Sequence, residues 1–320
     1  MVTAVLLTIA GLLLLVAGGE LLVRGAVNLA NRLGVSALLT GIVIVGFGTS
    51  APELVASLEA VRLGSPGIAW GNVIGSNIAN ILLILGATAI LQPVIVPGEA
   101  LKRDGGVMLA STLGFFGLAL TGTMPRLAGI AGVACLCAYL YASYRLDRRG
   151  PSVHDEETQP VERPRRRVRL WAWGRPILFI LTGLGLLVGG GNLLVTGAQQ
   201  LAGMIGLPES VIGVTIVALG TSAPELATSV IAALRKHGDI AFGNIVGSNI
   251  YNLLGIGGVI AIAAPNSVPP ALGDLELWVL LAATIASGFF ATTHTTIHRW
   301  EGALLFLGFV AFNLAVFLGA

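Results

Sequence analysis

The chain has 320 residues, of which 55% are hydrophobic and only 11% are charged. This composition lies outside the range of soluble domains and is typical of a membrane-embedded protein. Nearly every window of about 20 residues is apolar enough to span a bilayer, and the 44 glycines suit closely packed transmembrane helices. We therefore predict an all-α integral membrane protein that is surrounded by the lipid bilayer and has no nucleic-acid partner.

Hydropathy and turn signals divide the chain into ten predicted membrane spans. The first five cover residues 3–30, 36–62, 67–91, 105–122 and 125–144, and the next five cover residues 174–202, 208–234, 239–264, 274–292 and 300–319. The only long hydrophilic stretch lies between these two groups. It is interpreted as a solvated connector, with docking on anionic lipid or ion sensing as the alternative.

An internal repeat relates the two groups of spans. The seven residues 48–54, GTSAPEL, recur letter for letter at 220–226. At the same offset of 172 positions, roughly half of residues 42–86 are identical to residues 214–258 without a gap, which is well above chance even for apolar segments. The two groups of spans are therefore homologous.

The repeat predicts the organisation of the chain. Two halves, 1–145 and 173–320, are joined by the linker 146–172. Each half holds five spans, an odd number, so the second half must enter the membrane in the direction opposite to the first. Inverted repeats of this kind are common in secondary transporters. The predicted fold is ten transmembrane helices in two inverted five-helix repeats, with broken helices at the midplane.

Basic residues predict the orientation, because cytoplasmic loops carry an excess of Lys and Arg. If the N-terminus is outside, the basic residues of the inner loops are Arg32, Lys102, Arg103, Arg235, Lys236 and Arg299, and the linker adds many arginines. The outer loops hold only Arg62 and Arg126. We predict a multi-pass protein of the cell membrane with both termini outside and the linker 146–172 in the cytoplasm.

Two glutamates lie in the middle of predicted spans. An ionisable group there costs at least about 2.5–3.5 kcal/mol and marks an ion or proton pathway. Glu53 and Glu225 occupy the same position in the two repeats. The hydroxyl residues three and four positions earlier share their helix face, and these are Thr49, Ser50, Thr221 and Ser222.

A proline precedes each glutamate and predicts a broken helix. Pro52 and Pro224 have no N–H to donate, and their rings displace the carbonyl four residues back. Carbonyls around 46–49 and 218–221 are then expected to be free, which lipid tolerates only where the break is buried or lines a cavity. Carbonyls, hydroxyls and carboxylates are hard oxygen ligands that suit Na⁺, Ca²⁺ or Mg²⁺.

The next span of each half adds a second polar group. Ser76 and Asn80 are four residues apart, as are Ser248 and Asn252, so each pair lies on one helix face. One such residue alone usually bonds a neighbouring helix, but the whole set recurs at one offset around a carboxylate and predicts a cation site. Two facing carboxylates cannot both stay ionised without a cation, so protons are expected to compete with the transported ion.

Other charged pairs are predicted to be structural. Glu20 and Arg24 are four residues apart and are expected to pair near the end of the first span, whereas the repeat has Asn192 and Thr196 at these positions. Their replacement argues against a shared role in ion binding. Other charges near the end of the second span are interpreted as helix-end surface charges.

These motifs resemble the cation/Ca²⁺ exchanger superfamily, and most closely its prokaryotic Na⁺/Ca²⁺ exchangers. The resemblance covers essentially the whole chain except the linker. It implies ten helices, with the first and sixth sliding across an eight-helix core. It implies a Ca²⁺ site formed by Glu53, Glu225, Thr49 and Thr221, and Na⁺ sites completed by Ser50, Ser76, Ser222, Ser248 and the carbonyls of Gly46 and Ala218, with Asn80 and Asn252 at the centre.

One residue departs from the family pattern. Well-studied Na⁺/Ca²⁺ members have Asp where this chain has Asn252, and Asn is close in shape to a protonated Asp. The proton-coupled branch usually shows Gly-Asn-x-x-Glu, whereas residues 71–75 and 243–247 end in Gly. The missing Glu favours Na⁺ coupling, while Asn252 keeps proton coupling open.

We therefore predict a secondary active antiporter that exchanges Na⁺ for Ca²⁺ by alternating access, as a monomeric transport unit without a cofactor. An H⁺/Ca²⁺ antiporter using the same site is the alternative. A channel is disfavoured because inverted repeats are typical of transporters. An intramembrane enzyme is disfavoured because no span holds a His or Lys placed as a base for Ser50 or Ser222.

Overall fold

The computed structural model describes residues 2–64, 66–96, 98, 101–147, 166–204, 218–268 and 275–319, and most of them are helical. The helices are α1 (Val2–Leu33), α2 (Ala37–Arg62), α3 (Pro66–Leu91), α4 (Gly106–Leu120), α5 (Arg126–Asp147), α6 (Arg166–Met204), α7 (described as Ala218–Thr221 and Ala223–Leu234), α8 (Gly238–Ala263), α9 (Glu276–His294) and α10 (Arg299–Gly319). Two short strands, β1 (Val94–Ile95) and β2 (Thr296–Ile297), pair antiparallel.

Within the described ranges, eight helices are long and apolar enough to cross a membrane. They are α1, α2, α3, α5, α6, α8, α9 and α10. The α-helical part of α4 is 15 residues long and continues a π-helical turn, Leu101–Gly105. Part of the predicted seventh span, 208–217, falls outside the described residues. The prediction of a helical, multi-pass membrane protein is confirmed.

The helices extend into the predicted linker from both ends. The sequence predicts a connector over 146–172, and within this stretch α5 continues to Asp147 and α6 begins at Arg166. Hydropathy marks where a helix leaves lipid, and a charged segment can stay helical in water beyond that point. At 1.5 Å per residue the 39 residues of α6 span about 58 Å, far more than the hydrocarbon core of about 30 Å. We call the side of the fold where α5 ends and α6 begins the linker face.

Helices α1 and α6 pack antiparallel through glycines spaced seven residues apart. A Cβ on Gly18 would lie 2.8 Å from the Gly183 carbonyl oxygen, and a Cβ on Gly190 would lie 2.9 Å from the Gly11 carbonyl oxygen. The complete set is Gly11, Gly18, Gly25, Gly183, Gly190 and Gly197. Small residues at such an interface let the two backbones touch, so α1 and α6 form one closely packed pair.

The remaining helices surround α3 and α8, which are the most deeply buried. Between α4 and α9, the hydroxyl oxygens of Thr112 and Thr284 lie 3.4 Å apart, and these residues are related by the repeat offset. The repeat offset also relates two other contacts, which lie at opposite ends of this core. At one end β1 pairs with β2, and at the other the Asn266 N–H donates to the Met124 carbonyl over 2.9 Å.

Candidate cation-binding site

One serine interrupts each of the helices α2 and α7. Ser50 has φ −84° and ψ 2°, and Ser222 has φ −90° and ψ 4°, so both leave helical geometry. The prolines expected to break these helices lie two residues later, in the first turn of the next segment, where a missing N–H needs no partner. The same first turns carry Glu53 and Glu225, and the partial positive charge of a helix N-terminus stabilises a carboxylate there.

The structure brings the two glutamates together in the protein interior. Glu53 is 2% exposed and Glu225 is 1% exposed. The Ser50 hydroxyl donates to Oε1 of Glu225 over 3.2 Å, so a residue of one half binds the carboxylate of the other. Two carboxylates in a site this deeply buried repel each other unless a cation or proton lies between them.

Two asparagines that the sequence analysis did not select hold the glutamate backbones. The Nδ2 atom of Asn72 donates to the Ser57 hydroxyl over 2.9 Å and to the Glu53 carbonyl over 3.2 Å. Asn244 makes the matching bonds, over 2.8 Å to the Ser229 hydroxyl and over 3.4 Å to the carbonyl of the second glutamate. The recurrence of Asn at this position in both repeats is the signal that could have identified them.

Thr49 and Gly46 link the first half to α8 of the second. The Thr49 hydroxyl lies 3.0 Å from the Val45 carbonyl and 3.2 Å from Oδ1 of Asn244. The Gly46 carbonyl, which the sequence predicts to be free, accepts the Ser50 N–H over 3.1 Å and lies 3.5 Å from the Ser248 hydroxyl. The Gly46 carbonyl is therefore not free, because the helix breaks after Ser50 has made its bond four residues back. A carbonyl oxygen has two lone pairs, so this bond does not prevent it from contributing to a cation site.

Helices α3 and α8 carry the second group of predicted residues. Ser76, Asn80, Ser248 and Asn252 are all buried. Asn80 lies in a π-helical turn, Ala79–Leu85, and Asn252 lies in another, Tyr251–Ile256. Such turns are frequent at functional sites. Neither π-helical turn was predicted from the sequence.

Buried polar atoms that lack a hydrogen-bond partner concentrate in the predicted set. Six of the ten such atoms among the described residues belong to it: Oε2 of Glu53, Oε2 of Glu225, Oγ of Ser222, Oδ1 of Asn80, and Oδ1 and Nδ2 of Asn252. A buried polar atom without a partner costs free energy. Five of the six are oxygens, the ligand type that Ca²⁺ and Na⁺ prefer, so a bound cation would offset this cost.

The last two predicted residues come from the first described segment of α7. Ala218 begins this segment, and Thr221 ends it and is half-buried. Within the described ranges, no group of three or more His, Cys, Asp or Glu side chains could hold a metal ion. The predicted ligands are two carboxylates together with hydroxyl, amide and carbonyl oxygens, a set that suits a hard cation.

Comparison with known proteins identifies the family. The family model described as "Sodium/calcium exchanger protein" matches residues 3–145 and 175–318. The chain belongs to the sodium/calcium exchanger family. The two matched segments contain both glutamates and both helix breaks, so the candidate site lies within the part of the chain that defines the family.

Exchanger-family relatives match the chain over nearly its full length. The putative antiporter CaxA of Alkalimonas amylolytica is 35% identical over 99% of both chains, and the sodium/calcium exchanger MaX1 of Methanosarcina acetivorans is 33% identical over 98% of both. Among solved structures, the sodium-calcium exchanger NCX_Mj soaked with 10 mM Na⁺ and zero Ca²⁺ superposes with a TM-score of 0.83 and 29% identity over 97% of each chain. The predicted family is confirmed, as is the prediction of a transporter rather than an enzyme.

Proposed function

We propose that this exchanger-family protein is a secondary active antiporter that exchanges Na⁺ for Ca²⁺ at one midplane site. The observation that carries the proposal is the meeting of two buried carboxylates, one from each half, where Ser50 of the first half donates to Glu225 of the second. Together Glu53 and Glu225 carry a charge of −2, which one Ca²⁺ neutralises. Several Na⁺ ions neutralise it equally well.

In this proposal Ca²⁺ and Na⁺ share the two carboxylates and differ in their other oxygen ligands. Ca²⁺ takes about six to eight oxygen ligands in flexible geometry. Its ligands are Glu53, Glu225, Thr49 and Thr221. Na⁺ uses the same carboxylates, and its remaining ligands are Ser50, Ser76, Ser222, Ser248, Asn80, Asn252 and the carbonyls of Gly46 and Ala218. The unpartnered buried oxygens of this set support the assignment.

The scaffold that we propose is ten transmembrane helices in two inverted repeats, 1–145 and 173–320, joined by a linker. Three observations support it. Helices α1 and α6 pack antiparallel, contacts related by the repeat offset lie at the two ends of the core, and the family match falls in two segments. A single chain supplies both carboxylates, so the transport unit is a monomer.

Charge balance enforces exchange in this scheme. A carboxylate pair neutralised by cations can pass through a low-dielectric occluded state, whereas an empty pair of like charges resists it. The helices that cover the site therefore move when ions are bound. Alternating exposure of a fixed site is the common mode of transporters built from inverted repeats.

We also propose that the linker face lies in the cytoplasm and that both termini lie outside. The excess of Lys and Arg in the loops of this face supports the assignment. The surrounding partner is the lipid bilayer of the cell membrane.

Proton coupling is the second candidate, because Asn252 departs from the Asp that the Na⁺/Ca²⁺ pattern has at this position. This buried amide cannot take up or release a proton as an aspartate would. If protons drive transport, the two glutamates alone must carry them. The same site would then exchange Ca²⁺ against protons rather than Na⁺.

Ca²⁺ uptake into proteoliposomes, with Na⁺ and pH gradients imposed separately, distinguishes these functions. We expect an outward Na⁺ gradient to drive uptake and a pH gradient without Na⁺ to drive none. The matched control is Glu59→Gln, which removes an exposed glutamate of the same helix and should leave uptake unchanged. Uptake driven by pH alone would favour proton coupling, and Ca²⁺ conductance without a counter-ion gradient would indicate a channel.

A further inference from the structure

The related helices α1 and α6 meet α7 in different places. A Cβ on Gly19 of α1 would lie 2.6 Å from Cδ1 of Ile231 and 3.4 Å from the Ala227 carbonyl oxygen, so α1 covers the second segment of α7. The corresponding glycine of α6, Gly191, lies against the Gly220 carbonyl, where a Cβ would be 3.3 Å away. Helix α6 therefore lies over the break of α7. Helix α1 instead covers the second segment of α7 toward its C-terminal end.

The second segment of α2 lacks the cover that α1 gives to α7. Val55 is 67% exposed, whereas Ala227, which the repeat offset relates to it, is half-buried beneath α1. The second segment of α7 runs toward the linker face, and that of α2 runs toward the opposite face. Among the described residues, the fold is closed over the site on the linker face and more open on the other.

An ionic contact holds the closed side. Arg235, at the end of α7, donates from Nε to Oε2 of Glu20 over 2.5 Å, and its NH2 group contacts the other carboxylate oxygen. Arg24, one turn along α1, contacts the same carboxylate. Two-point contacts between Arg and a carboxylate are stronger and more specific than single ones. The side chains of Glu20 and Arg235 are 25% and 43% exposed, so water screens the pair only partly.

On the opposite side, no matching contact joins two helices within the part of the chain that the structure describes. The repeat offset places Asn192 at the position of Glu20 and Leu63 at that of Arg235. The charged residues there, Glu59 and Arg62, bind each other within α2, with Nε and Oε2 2.7 Å apart. That pair joins residues of one helix and cannot hold two helices together.

We propose that Glu20 and Arg235 form a one-sided latch, an ion pair that holds α1 on α7 and keeps the linker face closed. The inference rests on the proposed alternating access. Opening the linker face moves α1 away from α7 and breaks the pair, whereas opening the opposite face breaks no equivalent pair. The latch sets how often each face opens and leaves the ions bound at the midplane unchanged.

Thiol labelling of Ile231→Cys tests the latch, because α1 covers this position. Cys135 and Cys137, which are free and exposed, are first replaced by Ser. Partly exposed ion pairs contribute little, so Glu20→Gln is expected to raise the rate of labelling by a water-soluble maleimide only about two- to fivefold. Arg235→Gln should raise it equally, and the double variant should add nothing further because both changes break one contact.

Controls separate opening from local charge effects. A nearby positive charge raises the reactive thiolate fraction and a negative charge lowers it, so purely local effects would shift Glu20→Gln and Arg235→Gln in opposite directions. Glu59→Gln, which breaks the pair on the opposite face, should not change the rate. Arg235→Lys keeps the charge but loses the two-point contact, and a smaller increase is expected from it.

Different observations would overturn the latch and the proposed function. Labelling needs neither Na⁺ nor Ca²⁺, so unchanged rates in both Glu20→Gln and Arg235→Gln, or opposite shifts, would overturn the latch alone. An absence of Na⁺-driven uptake by the native protein would overturn the proposed function alone. If both stand, Glu20→Gln should also raise the apparent Ca²⁺ affinity measured from the linker face about two- to fivefold, since that face opens more often.

Discussion

Around the two glutamates the two halves of the chain make matching contacts, whereas among the described residues the cover that α1 gives to α7 has no counterpart on α2. Asn72 and Asn244 each bind a serine hydroxyl and a glutamate carbonyl at similar distances. By contrast, Gly19 of α1 packs on the second segment of α7, whereas Val55 of the related segment of α2 is 67% exposed. In the function that we propose, the matching contacts serve ion binding, and the unmatched ones control access from one face at a time.

The largest expected effect comes from removing either carboxylate. If the site is two-fold, Glu53→Gln and Glu225→Gln should reduce Na⁺-driven Ca²⁺ uptake to a similar extent, roughly 100-fold, which corresponds to about 2.7 kcal/mol. Each variant leaves a single carboxylate that cannot balance Ca²⁺. Initial uptake rates in proteoliposomes measure this. Near-native uptake by one variant and loss by the other would break the symmetry that we propose for the site.

Replacing Asn72 and Asn244, which bind the glutamate backbones, is expected to have smaller and unequal effects. Asn72→Ala and Asn244→Ala each leave buried partners unpaired, which costs about 1–3 kcal/mol of stability. Asn244→Ala should cost more, because Asn244 is fully buried and its Oδ1 also lies 3.2 Å from the Thr49 hydroxyl across the two halves. Thermal unfolding with and without Ca²⁺ compares them. Equal losses would show that the contact with Thr49 contributes nothing.

Two neighbouring glycines of α6, Gly189 and Gly190, allow a matched test of the packing between α1 and α6. Gly190→Ala brings a Cβ within 2.9 Å of the Gly11 carbonyl oxygen, whereas a Cβ on Gly189 meets nothing within 4 Å. Overpacking of this kind costs about 1–3 kcal/mol, so Gly190→Ala should lower the unfolding temperature and Gly189→Ala should not. Helix propensity favours Ala over Gly, so a similar decrease in both variants would contradict the assignment of the effect to the contact between α1 and α6.

The smallest expected effect comes from replacing either of the two central amides, Asn80 and Asn252, by aspartate. Asn252→Asp adds a third carboxyl group, and protons should then compete more strongly with Ca²⁺. Uptake at pH 6 relative to pH 8 should fall about two- to fivefold further than in the native protein. Asn80→Asp, at the related position, should give the same change if the site is two-fold. A change in only one of the variants would show that the two amides differ in role.

Much of the scaffold and the candidate site was predictable, because lipid and duplication leave strong signals. Apolar runs mark the spans, since each must bury its backbone polar groups in a helix. The repeated motif identifies Glu53 and Glu225 without any structure. A carboxylate in an apolar span is costly enough that its recurrence at one offset points to function.

Other features depend on contacts that the sequence does not show. The helix breaks at Ser50 rather than at the proline two residues later, because a proline in the first turn of a helix is well tolerated. The π-helical turn around Asn80 left no signal that we recognised. Glu20 and Arg24 could be paired from their spacing, but Arg235 lies 215 positions away from Glu20, and only the packing of α1 on α7 joins them.

The contact between Thr112 and Thr284 bears on the origin of the chain. In a two-fold homodimer, a residue that lies on the symmetry axis touches its own copy. Here two residues at one repeat offset touch within a single chain, with hydroxyl oxygens 3.4 Å apart. This is the contact that would remain if a half-length ancestor paired with an inverted copy of itself and the two genes were later fused. Threonine suits such a position, because its hydroxyl can donate to and accept from an identical partner.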